Sequence, residues 1–139
     1  MKYSAHVENS RENHRVTMQM GETVHTVNIA PRETGFGSSV SGGELLFLAL
    51  ATCYCNDLYR EATKKNITVE SVEVDVEGEF PAAGEPARNI IYKTKVVADA
   101  NEQEIRELIQ FTDTVVEVQK TLRIETPVIL SEIEVVTSR

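Results

Sequence analysis

Residues 43–66 read GELLFLALATCYCNDLYREATKKN, and the placement of this run decides the rest of the chain. Its first half, Leu45 to Ala51, is apolar on every helical face, which predicts burial on all sides. Its second half turns amphipathic, and Lys64–Lys65–Asn66 supplies a positive last turn and a stop. At 1.5 Å per residue the run is a helix of roughly 36 Å. An all-round apolar half-helix is more than a chain of 139 residues easily covers, so a homodimer that wraps it is expected.

The two cysteines of the chain, Cys53 and Cys55, both lie on this helix. At 100° per residue, Cys53 shares a face with Leu46, Ala49 and Leu50 on one side and Asn56, Asp57 and Arg60 on the other. It stands where an apolar stripe turns polar, as a thiol at the floor of a cleft does. Cys55 points about 200° away, beside Leu48, Ala51, Leu58, Tyr59 and Ala62, where a cysteine is a small hydrophobe. The diverging Cβ directions oppose a Cys53–Cys55 disulfide without local distortion of the helix. They also make a poor metal site, so no metal and no cofactor are expected. A reactive Cys53 needs a lowered pKa. A mid-helix position gives little help from the helix dipole, so a cation is required. Arg60 on the same face and Arg11, Arg15 and Arg32 in the N-terminal half are the candidates.

Outward from the helix, the chain reads as a single domain over residues 1–139. N-terminal strands are expected at about 3–30, with RENH (11–14) as a turn, then a glycine- and serine-rich loop at 31–42. The central helix occupies about 43–66. A hairpin follows at about 68–98, its first strand alternating Val69, Val72, Val74 and Val76 with acidic residues, and PAAGEPA (81–87) as its turn. Helices are expected at about 101–123, with Asn101 as N-cap and a break near Thr112–Asp113–Thr114. A C-terminal strand is expected at about 127–137. Antiparallel hairpins mixed with helices give an α+β class, an antiparallel sheet around a long central helix.

Net charge is −8 with a pI near 4.9, which argues against nucleic acid or an anionic membrane as partner. The polar N-terminus has no apolar stretch of a signal peptide, and no run is long enough to span a membrane. With two cysteines and no disulfide framework, a reducing cytoplasm is the expected compartment. His6, His14 and His25 have no partner visible in sequence, and Tyr54 and Tyr59 are read as interface filling.

The run GELLFLALATC (43–53), a glycine-rich loop leading into an apolar helix with a mid-helix cysteine, resembles the OsmC-like family, which includes the organic hydroperoxide resistance proteins. AHVENSRENHRV (5–16), VNIAPRETGFG (27–37), VESVEVDVEGEF (69–80) and TLRIETPVILSEIEV (121–135) extend the resemblance through the chain in order. It implies an intertwined α+β homodimer with central helices packed across the interface. It also implies a thiol-based peroxidase, antioxidant and stress-related, in which one cysteine attacks the O–O bond and a second resolves the sulfenic acid.

On that resemblance Cys53 is the peroxidatic thiol. Arg11 is the arginine that holds the thiolate, with Arg15 as the alternative counterpart. The glutamate that orients this arginine stands ten residues before the cysteine in the hydroperoxide proteins, where this chain has Gly43. Glu44, one residue later, matches the ELL of other branches. The resolving cysteine is replaced by Val116 in VVEVQKTLR (115–123), so the usual disulfide has no second thiol. The implied function is a hydroperoxide reductase whose partners are an organic hydroperoxide and an external thiol or dithiol, Cys55 being the other possible resolver. The alternatives are a dimer binding a small hydrophobic ligand in its interface cleft, and a dimeric module without chemistry.

Overall fold

The computed structural model describes residues 1–138. It contains five strands and three helices in the order β1 (Tyr3–Ser10), β2 (Asn13–Met20), β3 (Thr23–Val27), α1 (Gly42–Lys64), β4 (Thr68–Glu79), β5 (Arg88–Asp99), α2 (Glu102–Val115) and α3 (Glu117–Arg123). The class is α+β, as expected. Instead of one sheet there are two antiparallel ones, β1-β2-β3 and β4-β5. The chain divides into two compact units, Met1–Phe47 and Leu48–Arg139.

In the first unit, β1 and β2 pair from Tyr3↔Met20 to Ser10↔Asn13. This leaves Arg11 and Glu12 as a two-residue turn, with Glu12 in the left-handed region at φ 57°. The loop that follows β3 folds back on this turn. The Glu12 amide donates to the Gly35 carbonyl at 2.9 Å, and the Gly37 amide donates to Asn9 Oδ1 at 3.0 Å. Gly37 has φ 104°, which favours glycine, and a Cβ there would crowd the Arg32 side chain at 3.2 Å.

The start and end of α1 are written locally. Ser41 and Glu44 form a reciprocal capping box: the Glu44 amide donates to Ser41 Oγ at 3.1 Å, and the Ser41 amide donates to Glu44 Oε2 at 3.3 Å. This satisfies two amides that the helix leaves without partners. At the other end Asn66 takes φ 56°, its amide donates to Thr63 O at 3.1 Å, and the Ile67 amide donates to Ala62 O at 3.0 Å. That bond pair is the Schellman stop, with asparagine in the left-handed position.

The core lies in the second unit. Tyr54, Leu58 and Ala62 recur every four residues along one stripe of α1 and are buried with Leu108 and Val116, against Val69, Val72, Val74, Tyr92 and Val96. Tyr54 therefore fills the chain's own core rather than an interface. Its hydroxyl donates to the Ile109 carbonyl at 2.9 Å, and its ring lies 5.1 Å from that of Tyr92. The three-residue step from Val69 to Val72 falls at a register shift between Val69 and Ser71, a bulge that returns the valines to one face. On the other face Glu73 opposes Lys95 and Asp75 opposes Lys93, favourable cross-strand pairs on a solvated surface.

Two expectations are corrected. Asn101 does cap α2, accepting from the Glu104 amide at 2.9 Å, but the helix break falls at Val116 and not at Thr112–Asp113–Thr114. The two threonine hydroxyls of that run are satisfied within the helix, Thr112 Oγ1 donating to Leu108 O and Thr114 Oγ1 to Phe111 O, while Asp113 accepts from Tyr92 and Arg123. Val116 instead turns extended, at φ −72° and ψ 118°. The C-terminal strand expected at about 127–137 is also absent, since residues 127–138 belong to no strand. Val128, Ile129, Leu130, Ile133, Val135 and Val136 are all exposed. β-Propensity reports fit to a half-buried sheet surface, and here no ladder partner is offered among the described residues.

Candidate functional site

The second unit builds a thiol–carboxylate–guanidinium cluster on the polar edge of α1. One turn after Cys53 comes Asp57, and Arg60 follows less than a turn later, so the helical repeat alone stacks all three. Val116 ends α2 in extended backbone, and α3 then starts with Glu117, whose carboxylate completes the cluster. Cys53 itself packs against the core group that contains Val116. The position implied for a resolving cysteine is thus a fully buried valine beside the thiol's surroundings.

The geometry is two-sided. Asp57 Oδ2 and Glu117 Oε2 each accept from Cys53 Sγ at 3.8 Å. The other oxygen of each carboxylate goes to one nitrogen of Arg60: Nη1 donates to Asp57 Oδ1 at 3.1 Å and to Glu117 Oε1 at 2.8 Å. Arg60 Nε donates to Glu61 Oε2 at 2.8 Å, and Lys64 Nζ reaches the same oxygen at 3.0 Å. Arg60, one of the four candidate cations, therefore pairs with the carboxylates, and the carboxylates face the thiol.

The electrostatics follow. Burial pushes the Cys53 thiol up; the Val118 amide opposes this, while the charges of Asp57 and Glu117 add to it. Burial and a hydrogen bond to Glu117 push Asp57 up to about 6. The Asp57 hydrogen bond, aided by Arg60, holds Glu117 down at about 2. The two carboxylates titrate together, Asp57 raised and Glu117 lowered. Arg60 is held above its usual range by Glu61 and Glu117. Cys53, Asp57 and Glu117 also bring one ligand atom each within 4.8 Å of one another. A guanidinium already bridges both carboxylates, so a cation there would have to displace it.

The remaining sequence candidates are placed as follows. Cys55 lines a shallow groove with Ala51, Thr52, Asn56, Val72 and Val74, away from the cluster. Both thiols are free and half-buried. Arg11, in the first unit, lies with its guanidinium carbon 6.0 Å from the Phe36 ring centre. Arg15 is engaged by Glu8. Glu44 is the carboxylate of the α1 cap. Asp57 and Arg60 were visible in sequence on the Cys53 face. Glu117 was not, standing 64 residues away. Its one sequence signal was adjacency to Val116, the residue aligned with a cysteine that must reach Cys53.

No helix among the described residues is long and apolar enough to cross a membrane. No curated protein matches the chain at a significant level. Among solved structures, an OsmC-like protein from Mycoplasma pneumoniae is similar at 24% identity and TM-score 0.62, over 88% of each chain. An OsmC-like protein of unknown function from Vibrio cholerae is similar at 15% identity and TM-score 0.60, over 87% of this chain and 93% of that one. An organic hydroperoxide resistance protein OsmC and predicted redox protein from Legionella pneumophila is similar at 20% identity and TM-score 0.54, over 88% and 90%. These likenesses establish the fold. The sequence profile of OsmC-like proteins matches residues 35–131, a span that holds α1, the hairpin and the helix pair carrying Cys53 and Glu117. The chain therefore belongs to the OsmC-like family.

Proposed function

We propose that this protein is a thiol-dependent reductase of organic hydroperoxides, acting as a homodimer in a reducing compartment, with Cys53 as the attacking thiol. The observation that carries the reading is the unequal setting of the two thiols. Cys53 alone has proton acceptors and a backbone amide at its sulfur, and it stands on the long helix of a family that includes a predicted redox protein.

The chemistry is a two-electron exchange. The sulfur attacks one peroxide oxygen, the O–O bond breaks with its electron pair going to the other, and the products are the Cys53 sulfenic acid and an alcohol. Val116 offers no second thiol, and Cys55 points away around the helix. An external thiol therefore completes the cycle in two displacements, releasing water and restoring Cys53. Homodimerisation is supported by the apolar surface that one chain leaves open at Leu45, Leu48 and residues 128–136, since patches of this kind mark interfaces.

The test is intact mass after reduced protein meets a slight excess of cumene hydroperoxide, with Cys53→Ser and Cys55→Ser alongside. Gain of one oxygen on Cys53, retained in Cys55→Ser, is the expected result. Loss of two hydrogens in wild type, abolished in both variants, would make Cys55 the resolver. No change while a free thiol oxidises would end the reading and leave a dimer that binds a hydrophobic ligand.

A further inference from the structure

The wall that α3 presents to Cys53 is short and has little of its own to hold it. α3 has seven residues, about two turns, too few to be stable alone. Its N-cap, Val116, makes no side-chain hydrogen bond to the first turn. Glu117 on that turn nevertheless keeps Oε2 at 3.8 Å from Cys53 Sγ and Oε1 at 2.8 Å from Arg60 Nη1.

Three contacts tie α3 down. At its start Val116 is fully buried in the core. In its middle Gln119 is buried, and its Nε2 donates to the Leu50 carbonyl of α1 at 3.0 Å. At its end Arg123 reaches back across the break to α2. Its Nη1 donates to the Asp113 carbonyl at 3.0 Å and its Nη2 to Asp113 Oδ1 at 2.8 Å. Tyr92 of β5 donates its hydroxyl to the same carboxylate oxygen, and the Tyr92 ring lies 5.1 Å from that of Tyr54 on α1. Backbone bonds continue on both sides of the break, Val116 N to Thr112 O and Lys120 N to Val116 O. The extended Val116 is therefore the hinge between the two helices. A guanidinium held by two acceptors fixes an angle, where a single bond fixes only a distance.

We propose that Arg123, clamped to Asp113 by two bonds and backed by Tyr92, is a positioning residue for Cys53: it sets the angle of α3 at Val116 and so holds Glu117 against the thiol. Its bearing on catalysis rests on the proposed function, in which Cys53 is the reacting thiol. Arg123 acts through α3, since its own hydrogen bonds go to Asp113.

The clamp has a signature that a general stabilising role lacks. Glu117→Gln removes a negative charge from beside the sulfur, so it lowers the apparent pKa of Cys53 as long as α3 is in place. That pKa is read from the pH dependence of Cys53 alkylation by iodoacetamide, by peptide mass, on the full chain in a Cys55→Ser background. Glu117→Gln is made alone and on top of Arg123→Gln, Arg123→Lys and Tyr92→Phe. Asp57 and Arg60 on α1, and Arg11, Arg15 and Arg32 in the first unit, are the same in every protein, so their effects cancel in each difference.

The expected result is a drop of about half a unit with the clamp intact, the size of a partly exposed charge contact. Arg123→Gln should cut that drop to less than half, Tyr92→Phe should weaken it less, and Arg123→Lys should restore part of it. An undiminished drop in both Arg123→Gln and Tyr92→Phe would overturn the proposal, because α3 would then stand without the clamp. No drop with the clamp intact would also overturn it, by removing Glu117 from the thiol. If the coupling is as expected but cumene hydroperoxide adds no oxygen to wild-type Cys53, the proposed function fails and the clamp stands. The Arg123 side chain is 49% exposed, so Arg123→Gln opens no cavity in the core.

Discussion

In the first half of α1, Leu45 and Leu48 remain 41% and 60% exposed, whereas in the second half two carboxylates, Asp57 and Glu61, keep only 7% and 4% of their surface. Hydropathy alone orders these positions the other way round. The second half packs on β4, β5, α2 and α3, and whatever shares a face with Tyr54 and Leu58 is carried inward with them. Its charged residues are buried because Arg60 and Lys64 lie on the same face to pair them. The first half is apolar, yet Leu45 and Leu48 stay at the surface. Burial is decided by which neighbours the chain can supply, and apolarity then states what is still owed a partner.

The largest effect that would sharpen this contrast is expected at Leu58, which is fully buried. Leu58→Ala should lower unfolding free energy by about 2–5 kcal/mol, measured by urea denaturation. A loss under 1 kcal/mol, roughly the exposed-site range, would break the assignment of the core to this half. Leu48→Asp should have little effect on the folding of one chain but shift the sedimentation coefficient from dimer to monomer. An unchanged dimer would remove the exposed half from the interface.

The buried carboxylate makes a pH-dependent contribution whose sign can be checked. Asp57 faces Cys53, Arg60 and Glu117 and titrates near 6 when folded, against about 4 for an unfolded aspartate. The folded state therefore holds this proton more tightly, and the stability it adds at low pH is lost as pH rises from about 4 to 6. Glu117 works in the opposite sense but at lower pH, its stabilisation being lost as pH falls towards about 2. Asp57→Asn should accordingly gain stability relative to wild type between pH 4 and 7, read as a difference in urea midpoints. A constant difference across that range would mean that Asp57 is not held in its protonated form.

A smaller effect separates two roles for Glu44. As a capping residue its loss in Glu44→Ala should cost about 1 kcal/mol, while Glu44→Gln, which can still accept the Ser41 amide, should cost a few tenths. If Glu44→Gln keeps its stability yet loses hydroperoxide turnover, the carboxylate has a chemical role beyond the cap.

Much of this was readable from residues alone. Val69 to Val76 declared a half-exposed strand, Asn101 a cap, Lys64–Lys65–Asn66 a stop, and the 100° rotation put Asp57 and Arg60 on the Cys53 face. The Ser41–Glu44 capping box was not read there, although Ser and Glu three apart before an apolar run is its sequence pattern. The helix break was misplaced because Thr112, Asp113 and Thr114 look like a turn until their hydroxyls and carboxylate find partners in α2, Tyr92 and Arg123. The C-terminal segment has strand composition, but strand pairing is a property of two segments and not of one.

By itself, then, the sequence determined the elements up to the last helix, their order, the family and the face on which the thiol lies, because helix and strand periodicity act between residues close in the chain. Only the tertiary structure decided what surrounds that thiol. Glu117 reaches Cys53 through the packing of α3 against α1, and Arg60 turns to the carboxylates because two acids within reach outcompete a neutral thiol for a guanidinium. Contacts between distant segments depend on how faces are packed, and local pattern carries no record of that choice.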